Sequence, residues 1–158
     1  EAKLMQAIEQ IKNKQYKKAL QFVEAAKIWP VNLGVGKPYQ EDIDERLEDW
    51  ISYFCYTKQN NEKLAQQQLQ KIVAFTPKID NTVRNFLPAN NLISAWALEK
   101  MNKKEEAVQL LNQWQQKEPN NKIFIWCKDV FENPQSEMND DVMKNESVRI
   151  IAELLKLK

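Results

Sequence analysis

Three times along this chain an alanine is followed four positions later by an apolar residue and then by a proline. The sets are Ala19, Val23 and Pro30; Ala65, Leu69 and Pro77; and Ala107, Leu111 and Pro119. From alanine to proline the intervals are 11, 12 and 12 residues, and successive alanines stand 46 and 42 residues apart. A period of this size implies a supersecondary unit that cannot bury its own apolar face and must stack on its neighbours. The pattern inside each unit is helical. Leu4, Ala7, Ile8 and Ile11 recur at i, i+3, i+4 and i+7, and Tyr16, Ala19, Leu20, Val23 and Ala26 form a second stripe after the polar turn Asn13-Lys14-Gln15. The same two-helix unit returns at Asp44 to Tyr56 with Glu62 to Phe75, and at Asn91 to Met101 with Lys104 to Lys117. An alanine lets two helices cross closely, and a proline forces the residue before it out of the α region and ends the helix. Asn60-Asn61 and Asn120-Asn121 suit turns and caps.

Composition narrows the chemistry. The 158 residues contain no histidine and only two glycines, Gly34 and Gly36. Histidine-based acid–base chemistry, histidine-dependent nucleophiles and histidine metal ligands are therefore excluded, as is a glycine-rich phosphate cradle. Lysine plus arginine number 23 against 22 acidic residues, a balance that argues against nucleic acid as partner. The longest apolar run, Ile123 to Cys127, is far too short for a membrane span. Cys55 and Cys127, without a CxxC motif and among aromatic neighbours, read as small buried hydrophobes. The acidic cluster Glu41, Asp42, Asp44, Glu45, Glu48 and Asp49 reads as a helix start favoured by the macrodipole, not as paired catalytic carboxylates. Gln66, Gln67, Gln68, Gln115 and Gln116 read as solvated helix surface. No catalytic residue, cofactor or metal is expected.

The alanine and proline pattern resembles that of the tetratricopeptide repeat, whose unit is 34 residues long; here about 8 to 12 residues are inserted between units. The tryptophan, leucine and glycine usual in that family's first helix are poorly kept. The resemblance implies an all-α fold. It would be a right-handed solenoid of three helical hairpins (about 2–30, 44–77 and 91–119) within one domain of residues 1–158. Two further helices in 120–158, Lys122 to Phe131 and Val142 to Leu157, would cap it. It implies a non-catalytic interaction scaffold whose partner is a protein, a peptide or a neighbouring domain of the same polypeptide.

In that family the concave groove is lined by the fifth, ninth and thirteenth positions of the first helices. Carried onto this chain these are Leu4, Trp50 and Leu92, then Ile8, Phe54 and Trp96, then Lys12, Lys58 and Lys100. The resulting partner-binding set is Trp50, Phe54, Lys58, Leu92, Trp96 and Lys100, an aromatic and apolar ladder edged by lysines. Aromatics supply anchoring area, and the lysine row suits an acidic or carboxylate-bearing peptide. The family's peptide-carboxylate clamp is not supported, because its polar positions are apolar here. Aromatics at helical spacing also build cores, and the last amphipathic helix is able to fold into the groove and cover them.

A second candidate is the insertion Trp29 to Pro38, which holds both glycines between two prolines and reads as a defined loop. Its Pro-x-Asn-Leu-Gly-x-Gly-Lys-Pro stretch is similar to one in large bacterial proteins. In those, repeats follow a region that looks like a galactose-mutarotase β-sandwich. That resemblance implies an interdomain contact through Leu33, Gly34, Gly36 and Lys37, and a structural appendage that orients a carbohydrate-active or sugar-binding domain. The bland alternative is a loop packing Leu33 and Val35 onto the repeats.

Overall fold

The computed structural model describes residues 1–28, 36, 43–76 and 86–157, and these are all-α. The helices are α1 (Ala2–Lys12), α2 (Tyr16–Ala26), α3 (Arg46–Lys58), α4 (Glu62–Phe75), α5 (Asn90–Lys100), α6 (Lys104–Lys117), α7 (Lys122–Glu132), the single turn α8 (Asp140–Met143) and α9 (Glu146–Leu155). Among the described residues no helix is long and apolar enough to cross a membrane.

Helices α1 and α2, α3 and α4, and α5 and α6 pair through three-residue turns that share one geometry. The middle residue of each turn is left-handed: Lys14 at φ 57°, Asn60 at φ 57° and Asn102 at φ 60°. Its amide donates to the carbonyl three residues back, on Ile11, Thr57 or Glu99, at 2.9, 3.1 and 3.0 Å. The next amide donates five residues back, from Gln15 to Gln10, Asn61 to Tyr56 and Lys103 to Leu98, at 2.8, 2.9 and 2.9 Å. This double bond pattern satisfies orphan carbonyls at a helix C-terminus. Five residues after each left-handed position comes the buried alanine, Ala19, Ala65 or Ala107. Turn and alanine thus recur in one register.

Each hairpin touches the next, α2 against α3, α4 against α5 and α6 against α7, while α1, α3, α5 and α7 form a row of mutual neighbours. A continuous core of buried aliphatics runs from Leu4 to Leu154. The expected helix Val142 to Leu157 is instead two. Asn139 accepts from the Val142 amide and Asn145 from the Val148 amide, so each asparagine caps a new start. Helix α9 returns to α1, where Lys12 pairs with Glu153 at 3.3 Å and Arg149 grips Glu1 through two bonds of 2.8 Å. Both thiols are free and buried, and burial pushes each up to about 12. The glutamine run corrects the surface reading in one place. Gln68 is buried, because it stands at i+3 from Ala65 on the stripe that continues through Leu69 and Ile72.

Between the second and third hairpins lies a buried polar junction. Asp44 and Arg46, both with fully buried side chains, form a two-pronged pair at 2.9 and 2.8 Å. Arg46 also donates to Asn91, Ser94 and the Leu87 carbonyl, and the Leu87 amide donates to Asp44 at 2.7 Å. Thr76, after α4, donates to Ser94 at 3.0 Å. Nearby Glu48 is pushed up to about 7, mainly by burial, with Asp44 and Glu45 adding to it.

Two stability changes follow. Lysine in the left-handed region is strained by about 1–2 kcal/mol, so Lys14→Gly should raise the urea-unfolding free energy by about 0.5–1 kcal/mol after the entropic cost of glycine; no gain would count against the turn geometry. Asp44→Ala leaves a buried guanidinium unpaired and should cost about 3–5 kcal/mol, with Asp44→Ala/Arg46→Met recovering part of it. A loss as small as that of a surface substitution would refute the junction.

Candidate functional site

The face of α3 that carries Trp50, Tyr53, Phe54, Thr57 and Lys58 follows i, i+3, i+4, i+7 and i+8, so one side of one helix presents three aromatics and ends on a lysine. Opposite it α5 brings Trp96, Glu99 and Lys100. Leu154, Leu155 and Leu157 from the C-terminal end, with Pro134, complete an open pocket of about 430 Å³. Trp50 is the hub. Its ring centroid lies 5.0 Å from that of Tyr53 and 5.5 Å from that of Trp96, both tilted, an arrangement favourable to aromatic pairs. The Lys58 ammonium stands 5.3 Å from the Phe54 ring centroid.

Of the six residues expected to bind a partner, Trp50, Phe54, Lys58, Trp96 and Lys100 line this pocket. Leu92 does not. It is wholly buried in the core, because it lies in the part of α5 that is enclosed from Asn90 to Ala95. The earlier ladder positions Leu4 and Ile8 are core as well. Lys12, the first of the lysine row, is taken by Glu153, whose carboxyl is held below its usual range by Lys156 and then by Lys12. Lys58 and Lys100 have no carboxylate partner among the described residues. All three lysines are the last residues of their helices, two positions before the left-handed residue.

The last helix therefore lines one part of the pocket without covering its aromatics. Val148, Ile150, Ile151 and Leu154 of α9 are buried, yet Trp50, Phe54 and Trp96 remain only partly buried. What sequence reasoning missed is the role of Leu154, Leu155 and Leu157 as a wall of the pocket; their spacing marked them as apolar, but only the return of α9 to α1 brings them there.

Of the loop candidates Leu33, Gly34, Gly36 and Lys37, all but Gly36 lie outside the described residues. An added Cβ at Gly36 would meet nothing within 4 Å. Among the described residues no group of three His, Cys, Asp or Glu side chains is placed to hold a metal ion. No protein-family model, curated protein or solved structure matches the chain.

The pocket makes a spectroscopic prediction. Trp114 and Trp126 are buried, so in a Trp29→Phe background the further changes Trp50→Phe/Trp96→Phe should remove most of the acrylamide-quenchable tryptophan emission while the circular dichroism is kept. Unfolding of the variant would mean that the two indoles are core.

Proposed function

We propose that this chain is a tetratricopeptide-like right-handed solenoid that works as a non-catalytic interaction module, with the Trp50–Trp96 pocket as its docking surface. The observation that carries the reading is an open, mainly apolar pocket lined by a half-buried tryptophan pair and by two lysines without an ion-pair partner among the described residues. Partly exposed aromatics in a concave setting are the anchors that interfaces use most. Support for the solenoid comes from the repeated turn geometry and from the contact of each hairpin with the next. A balanced net charge and the absence of histidine agree with a binding role better than with catalysis or nucleic-acid recognition.

A second reading, in which the Trp29 to Pro38 insertion docks onto a neighbouring domain, draws on one feature. Ile28, at the foot of that insertion, is 72 % exposed. Site-specific photo-crosslinking separates the two readings. A photoreactive residue at exposed Thr57, on the pocket, should label a partner, while one at exposed Gln67, on α4 and outside the pocket, should not. Equal labelling from both positions, or labelling from Ile28 alone, would move the docking surface elsewhere.

A further inference from the structure

The chain already holds one helix against its lysine row. Helix α9 packs on α1 with its apolar face in the core, and its Glu153 reaches Lys12, the last residue of α1. Lys58 and Lys100 occupy the same position at the ends of α3 and α5, each two residues before a left-handed turn residue. The repeat thus offers three equivalent cations beside apolar surface, and the protein's own helix uses one of them. The remaining two border the pocket of Trp50, Phe54 and Trp96, which continues directly from the Leu154 and Leu155 end of α9. Glu99 is the single carboxylate among the lining residues, so the lining side chains carry a net positive charge.

We propose that the pocket accepts an acidic amphipathic helix of a partner protein, its apolar side chains on Trp50, Phe54 and Trp96 and its carboxylates on Lys58 and Lys100. This rests on the reading of the pocket as a docking surface and adds the chemistry of its occupant. A helix is about 10–12 Å across, so a volume of about 430 Å³ takes the side chains of one face and leaves the backbone lying across the mouth. That is the groove mode of helix recognition, read through anchors at i, i+3 and i+4. Each lysine also stands at the negative end of its own helix, which favours a cation there whatever binds. Lys12 shows that a lysine at that position pairs with a carboxylate from a packed helix.

The test uses the full chain and three synthetic helical peptides. They share leucines at i, i+3, i+4 and i+7 and carry glutamates, glutamines or lysines on the flanks. Binding is read from tryptophan emission and calorimetry at low salt. The glutamate peptide should bind about tenfold more tightly than its glutamine twin. That preference should vanish in Lys58→Gln/Lys100→Gln, both exposed positions, and shrink as salt is raised. A glutamine or lysine peptide that binds as well as the acidic one overturns the acidic partner while leaving the docking surface standing. If none of the three alters tryptophan emission up to millimolar concentration, both ideas fail. Decanoate binding as tightly as the glutamate peptide would replace the helix with a small carboxylate amphiphile and so overturn it too.

Discussion

Register within each hairpin is set by a three-residue turn whose middle residue is left-handed. Because Lys14, Asn60 and Asn102 adopt nearly the same φ and their neighbours make the same pair of backbone bonds, everything at a fixed offset from them becomes equivalent. The alanine five residues later is buried at each helix crossing, and the lysine two residues earlier ends each first helix. Had one turn a residue more or less, the helix that follows it would be turned by about 100°, at 3.6 residues per turn. Its alanine would then leave the buried face.

That repetition stops short of making the units identical. Between the second and third hairpins the chain commits two charges, one side-chain amide and two hydroxyls to one buried junction. Asp44 and Arg46 stand two positions apart in sequence, yet their other partners, Leu87, Asn91 and Ser94, lie more than 40 positions away. Hydrogen bonds satisfy the pair on several sides, which is what makes a buried ion pair tolerable. At the other end, α9 joins the last helices to the first through Lys12–Glu153 and Arg149–Glu1. Its Leu154 and Leu155 thereby form part of the wall of the Trp50–Trp96 pocket.

Much of the helical layout was legible. Tyr16 to Ala26, Glu62 to Phe75 and Lys104 to Lys117 are helices with the bounds that apolar periodicity gives, and α3 and α5 differ by one or two residues at their ends. Local pattern suffices there, since a 3.6-residue stripe and a polar turn are both read within a dozen positions. The failures share the opposite property. Leu92 was placed in the groove by its offset alone, but how deep a residue lies on α5 depends on α3, α4 and α7 around it. The Asp44–Arg46 junction has no local signature. Its one sequence clue is that arginine is rare in this lysine-rich chain, at positions 46, 84 and 149, and Arg46 and Arg149 both make two-pronged carboxylate pairs. The break before α9 has a local sign in Asn145, whose side chain accepts from the Val148 amide, but the apolar residues on both sides of it read as one helix.

The pocket depends most directly on the return of α9 to α1 and on the Trp50–Trp96 pair. Nuclear Overhauser contacts in the isotopically labelled chain report both. The structure predicts cross-peaks between side chains of α1 and α9, and between the Trp50 and Trp96 rings, whose centroids are 5.5 Å apart. Ring contacts without any between α1 and α9 would remove the Leu154 and Leu155 part of the wall and contradict the pocket. Loss of both would contradict the arrangement of the hairpins themselves.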